Sequence, residues 1–594
     1  AQNRYIIIFK EKIMLLETIN SPKDIKKLSL TELQQLAQEI REGILNRDSL
    51  IGGHVGPNLG IVETIIALHY VFDTPKDKIV YDVSHQCYPH KMLTGRWKGF
   101  FDAEEMRKIS GYTNPNESEY DNFIVGHTST SVSLATGLAK ARDLRGEHHK
   151  VIALIGDGSL SGGEALEGFS NAAVLNSNIL IIVNDNEMSI AENHGGIYTN
   201  LRLLRETNGT AECNMFKAWG FEYRYVADGN NQENMIKVLQ ELKDVKKPTV
   251  LHIHTLKGKG YAPAEENKER WHWSLPFDRK TGEITADISG ENYNDITYDF
   301  LYARHQQNKN MVVISAGTPG AYGLNPERRA SFGENYVDVG IAEEQAVAMA
   351  SALAKGGCRP VFMVYSSFLQ RTYDQLSQDL ALNNNPAVIL VFSAGISGMD
   401  ATHLGSFDIP LVANIPNLVY LAPTGKEEYL AMLNWGLKQN EHPVVIRVPL
   451  AVTKGGKAEE SYADLNRYQL VKQGSKVAVL ALGSFFELGE SVMAELKEQG
   501  IDATLINPRY ITGVDEKLLN ELAKNHQVVA TLENGELDGG FGEKIASFYG
   551  ASMVKVLNFG AKKEFTDRVP YDELMKRYHL TSEQIVADIM AVLK

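Results

Sequence analysis

Apolar residues fall along this chain in short unbroken runs, separated by stretches in which they recur at helical spacing. The run at 151–155 predicts a strand buried on both faces, broken at its end by Gly156-Asp157-Gly158. Helical spacing over 159–173 follows, and 179–183 is a second buried strand. Similar runs predict strands at 79–83, 249–254, 311–315, 360–365, 387–392, 477–481, 504–506 and 528–532. Between them, helices are predicted over 28–46 (with Ser29 or Thr31 as N-cap), 61–71, 132–142, 346–356 and 488–499. This alternation predicts α/β architecture with parallel sheets. The polar stretch 280–295 reads as a linker.

With 594 residues the chain exceeds one core and suggests roughly three or four domains. Its net charge of −14 leaves no basic excess for nucleic acid, and no apolar run is long enough to span a membrane. Cys87, Cys213 and Cys358 show neither pairing nor metal-ligand spacing, which suits a reducing cytoplasm.

Candidate chemistry gathers where strands end. Gly156 and Gly158 let a backbone approach phosphate, while Asp157 and Asn186 offer oxygens to a hard cation such as magnesium. Residue types alone leave open that this is an ordinary turn. His54 lies among the glycines of Gly52 to Gly60, a stretch that also reads as a plain helix entry. His85 and His90 share a loop, but their spacing around Pro89 is a poor zinc pattern. The run from Gly126 to Ser131 suits either phosphate at a helix start or a hydroxyl cap. Lys257 and Lys259 form either a phosphate-neutralising loop or a basic turn. Glu343, opening a helix, reads as a dipole partner or as a buried acid–base group, and Phe368 as core or as a stacking ring.

Gly156-Asp157-Gly158 followed by Asn184-Asp185-Asn186 resembles the thiamine diphosphate motif of the transketolase superfamily. NDNEMSI at 184–190, GGHVGPNLG at 52–60, YVDVGIAEEQAV at 336–347 and YSSFLQRTYDQ at 365–375 resemble the 1-deoxy-D-xylulose-5-phosphate (DXP) synthase family in particular. The resemblance implies three doubly wound α/β domains of transketolase type. These are a diphosphate- and magnesium-binding domain at 14–285, a pyrimidine-binding domain at 296–460 and a smaller C-terminal domain at 466–594, after residues 1–13, read as an upstream extension or a cloning remnant. It implies magnesium held by Asp157, Asn186 and the carbonyl of Met188. Thiamine diphosphate would be contacted by His85, Gly126, His127, Thr128, Ser129, Gly156, Gly158, Ser159, Lys257, Ile341 and Phe368. Glu343 would serve the aminopyrimidine, with His54, His272 and His403 moving protons, Tyr365 and Arg371 as the acceptor-side and inter-helix polar residues, and Asp400 an approximate match beside His403. The implied activity is decarboxylation of pyruvate and condensation of the remaining two carbons with an aldehyde, glyceraldehyde 3-phosphate in the family, by a cytoplasmic homodimer.

Departures cluster on the acceptor side. Ser393 and Leu450 stand where the family has phosphate-gripping arginines, Gln345 replaces a histidine, 398–408 is shorter, and so is the segment after Ile190. They keep open a transketolase-like relative with an unphosphorylated acceptor or a ketose donor. A cofactor-binding protein without turnover is a third reading, against which Glu343 argues because mere binding gives it no role.

Overall fold

The buried apolar runs form parallel strands in the computed structural model, which describes residues 14–453 and 455–593; the expected extension at 1–13 lies outside them. The chain divides into two compact units, one ending at Ser289 and the other beginning at Gly290. In the first, β1 (Lys78–Tyr81), β2 (Val151–Gly156), β3 (Ile179–Asp185), β4 (Glu222–Val226) and β5 (Thr249–His254) form an all-parallel sheet in the order β1-β2-β3-β5-β4. Every residue of β3 is buried, as a strand covered on both faces requires. One apolar cluster around Ile152, Leu154 and Ile182 and another around Val151, Ala153 and Ile181 lie on its two faces. Helix α1 (Leu30–Ile51) is capped by Ser29, whose backbone amide in turn donates to Glu32 Oε2 at 2.8 Å.

In the second unit, β6 (Met311–Ser315), β7 (Tyr336–Asp338), β8 (Arg359–Tyr365), β9 (Val388–Phe392), β10 (Val419–Leu421) and β11 (Val444–Arg447) form a parallel sheet ordered β10-β11-β9-β8-β6-β7. A further sheet, β12-β14-β13-β15-β16, comprises Gln469–Lys472, Lys476–Ala481, Thr504–Asn507, His526–Glu536 and Lys555–Ala561 in chain order. Only its edge strand β12 runs antiparallel. Ile314, Ile389 and Tyr420 share one apolar cluster with Leu480, Ile506 and Phe541, which makes these two sheets one unit.

Several expectations are corrected. The glycine-rich stretch at 52–60 is not all loop, because α2 (Val55–Leu59) forms within it before α3 (Val62–Val71). The strand expected at 79–83 stops at Tyr81, since Val83 and Ser84 turn it with φ of 56° and 62°. The helix expected over 159–173 is a 3-10 turn at Asp157–Ser161 followed by an α-helix at Gly163–Val174. The strand expected at 528–532 is longer, running from His526 through Glu533-Asn534-Gly535 to Glu536. The Glu533 carboxylate accepts the backbone amides of Phe541 and Gly542, both at 2.7 Å, and so caps the helix Phe541–Tyr549.

Candidate active site

Strand register brings the first set of candidates together. Gly156 pairs with Asn184 across β2 and β3, and Asp185 with His254 across β3 and β5. Asp157 and Asn186 therefore follow neighbouring strand ends, with Lys257 beyond the next strand and His85 beyond β1. Asp157 is buried, and its Oδ2 accepts from Asn193 Nδ2 at 2.7 Å. Burial first, and then the charge of Asp185, pushes its acid up to about 8. Asn186 Oδ1 accepts the Met188 amide at 3.2 Å, a tight turn in which Glu187 takes φ 66°. Lys257 is buried beside them, lowered to about 7 by that burial, and donates to the Ser189 carbonyl at 2.6 Å.

The donor set fits a cation carrying a diphosphate. A buried carboxylic acid raised this far is one that a cation would return to its ionised form, and an amide oxygen and a backbone carbonyl accompany it. A Cβ at Gly156 would meet nothing within 4 Å, so its backbone stands open to a ligand. At Gly158 the same atom would lie 2.8 Å from Ser189 Oγ and 2.9 Å from its Cα, so only glycine lets the two loops close. No group of three His, Cys, Asp or Glu residues among those described holds a metal unaided.

Three imidazoles stand close by. The rings of His54, His85 and His272 lie 5.2 Å (54–85), 5.6 Å (54–272) and 5.4 Å (85–272) apart. His272 Nδ1 is 3.1 Å from Lys257 Nζ. Burial, then the charges of Lys257, His85 and His54, holds His272 well below the usual imidazole value. At the start of the helix Ser131–Leu144, Asp82 accepts the amides of Ser129 (2.8 Å) and Ser131 (3.0 Å), and Ser129 Oγ donates to the Ser159 carbonyl at 2.8 Å. Gly126, His127 and Thr128 lead directly into this anchored turn.

The second unit gathers the others at the same edge of its own sheet. Glu343 opens the helix Glu343–Lys355, yet it is only 3% exposed and its Oε2 has no hydrogen-bond partner among the described residues. Burial, partly offset by Arg371, pushes this acid up to about 7. Ile341 is buried against Gly317, whose φ of 73° and absent side chain make the room. Phe368 stacks on Tyr365 at 5.8 Å and meets His403 edge-on at 5.7 Å. Asp400 Oδ1 lies 3.2 Å from His403 Nδ1 and also accepts from Thr402; despite burial, His403 and Thr402 hold it near 2. Ser393 turns the chain after β9 with φ 52° and is hydrogen-bonded to the side chain of Tyr365. Leu450 is 52% exposed.

The shortened segment after Ile190 lies over Asp157, through side chains that the sequence did not single out. Besides Asn193, the Tyr198 hydroxyl donates to the carbonyls of Asp157 (3.1 Å) and Gly158 (3.2 Å). Tyr198 lies in the helix Gly196–Glu206, whose Arg205 contacts Asp185 Oδ2 at 2.6 Å. Burial raises the Asp185 carboxyl, but His252 and Arg205 outweigh it and hold Asp185 below the usual range. The apolar spacing of this helix was the only signal available.

Family models match the chain along most of its length. The model described as 1-deoxy-D-xylulose-5-phosphate synthase matches residues 16–214 and 205–255. Those of the transketolase pyrimidine-binding and C-terminal domains match 292–453 and 466–585. The 1-deoxy-D-xylulose-5-phosphate synthase of Pelotomaculum thermopropionicum is 38% identical, over 97% of this chain and 96% of its own. The chain belongs to the DXP synthase family. The DXP synthase of Clostridium tetani is 36% identical over 96% of the chain and 98% of its own. Among solved structures, the transketolase of Campylobacter jejuni aligns with 95% of the chain and 100% of its own at 16% identity, with a TM-score of 0.43.

Proposed function

We propose that the chain is a thiamine-diphosphate-dependent transferase. It decarboxylates pyruvate and joins the remaining two carbons to glyceraldehyde 3-phosphate, giving 1-deoxy-D-xylulose 5-phosphate and carbon dioxide. Family membership supports the reaction, and one observation in the molecule carries it. Glu343 is a buried acid, pushed up to about 7 by that burial, whose Oε2 has no hydrogen-bond partner among the described residues, at a helix start where an exposed carboxylate is the norm.

Thiamine diphosphate supplies the electron sink. Asp157, Asn186 and the Met188 carbonyl hold the magnesium that accompanies it; Lys257 and His85, with the turn from Gly126 to Ser129, receive the diphosphate, and Gly158 and Ser159 flank it. Glu343 holds a proton at Oε2 for a ring nitrogen, and its value near 7 lets that proton come and go at neutral pH. Ile341 and Phe368 supply the apolar contacts around that ring. His272, kept neutral by its surroundings, can both accept and donate beside His54. Asp400, ionised, orients the His403 ring, and Tyr365 and Arg371 line the acceptor side. Segments 14–285, 296–460 and 466–594 are read as the diphosphate, pyrimidine and C-terminal domains. A homodimer is the assembly and the cytoplasm the compartment, the latter supported by the unpaired thiols of Cys87, Cys213 and Cys358.

The test is carbon dioxide release from pyruvate by purified protein with thiamine diphosphate and magnesium, with and without glyceraldehyde 3-phosphate. Turnover to the deoxyketose phosphate is expected. Glu343→Ala should abolish release while sparing cofactor binding; release that persists in this variant refutes the assignment.

A further inference from the structure

The side chain of Asn193 is placed where it decides how Asp157 can meet a cation. The antiparallel bridge between Met188 and Glu192 turns the chain back, so that Asn193 returns over Asp157 and donates from Nδ2 to Oδ2 at 2.7 Å. The backbone amide of Asn186 also faces this carboxylate. Asn193 is fixed on both sides: Ala191 before it is buried, and Tyr198 after it is tied to the carbonyls of Asp157 and Gly158. The Arg205 contact with Asp185 Oδ2 fastens the far end of the same helix. Asn193 Oδ1 is itself buried, with no hydrogen-bond partner among the described residues.

A carboxylate with one oxygen already held by an amide donor favours coordination through the other alone. Magnesium accepts that arrangement, because it needs near-octahedral geometry and keeps several of its waters. Calcium, with six to eight oxygens at longer distances, gains from bidentate carboxylates and loses that option here. We propose that Asn193 is a specificity-determining residue: it keeps Asp157 monodentate, and its Oδ1 receives a water of the cation, so that the site selects magnesium over calcium. The inference rests on the reading of Asp157 as a cation ligand.

The experiment titrates thiamine diphosphate into the full-length protein in magnesium or in calcium, with tryptophan fluorescence reporting binding, so no turnover enters the readout. In the unaltered protein magnesium supports the tighter binding. Asn193→Ala should narrow the magnesium-to-calcium preference by about tenfold, chiefly by weakening magnesium. Asn193→Asp, which removes the donor and adds an oxygen, should narrow it further. A preference unchanged in both variants, or equal weakening with both cations, overturns the proposal and leaves Asn193 a structural residue. If Asp157→Ala retains cation-dependent binding, the reading of the site itself falls, and the inference with it.

Discussion

Glu343 gives the most direct test of the electrostatic argument, because its burial has a consequence for stability independent of turnover. Its carboxyl is raised from 4.5 to about 7, chiefly by burial and only partly offset by Arg371. A group raised in the folded state contributes its stability in full below the unfolded value and loses it as pH rises through the folded one. The cofactor-free protein therefore pays at alkaline pH for a carboxylate it cannot solvate. At about 1.36 kcal/mol per pH unit, the loss between pH 4.5 and 7 is on the order of 3 kcal/mol. Glu343→Gln keeps the shape and removes the titration. Cofactor-free Glu343→Gln should match the unaltered protein near pH 4.5 and exceed it by roughly 3 kcal/mol at pH 8, or about 5 °C in the unfolding midpoint of this unit. Thermal denaturation of both proteins at several pH values measures this. A difference that does not grow between pH 5 and 8 would refute the claim that Glu343 is desolvated. The same glutamine variant should release no carbon dioxide from pyruvate, so stability and activity move in opposite directions.

Three further outcomes are expected. Gly158→Ala, whose new methyl would press on the Ser189 backbone at 2.9 Å, should weaken cation-dependent cofactor binding at least tenfold with the fold retained, as binding titration and circular dichroism would show. Arg205→Ala removes a guanidinium 2.6 Å from the fully buried Asp185 and, with His252 still in place, should cost about 3 kcal/mol in chemical denaturation. Ser393→Arg with Leu450→Arg should lower the KM for glyceraldehyde 3-phosphate by about tenfold while leaving that for pyruvate unchanged, as steady-state kinetics would report.

The parallel strands were legible because a strand buried on both faces is apolar along most of its length, as at β2, β9 and β3 up to Val183. Their ends were less so. Val83 and Ser84 take left-handed backbone, which no β-branched valine advertises, and Ser84 holds it by donating to the Val125 carbonyl at 2.7 Å while accepting the Thr113 amide at 2.9 Å. The site was legible where a motif has fixed spacing, as with Asp157 and Asn186. It was illegible where a side chain arrives from a polar stretch without period, as Asn193 does. Glu343 lay between these cases: its position could be read, but its burial is set by long-range packing.

The acceptor side turns on one arginine. Arg447 lies three residues before Leu450 in the chain, but it is buried and paired to both oxygens of Asp408 at 2.8 and 2.9 Å. It also donates to the Asn534 carbonyl at 2.6 Å. Freeing it would strand the Asp408 carboxylate in a buried setting at a cost of roughly 3–5 kcal/mol, more than a phosphate contact of about 1.5–3 kcal/mol returns. Arg447 is therefore not available as the charge that the family resemblance expects at 393 and 450. If those two positions face the acceptor phosphate, as the resemblance implies, the double arginine variant adds a contact that Arg447 does not supply.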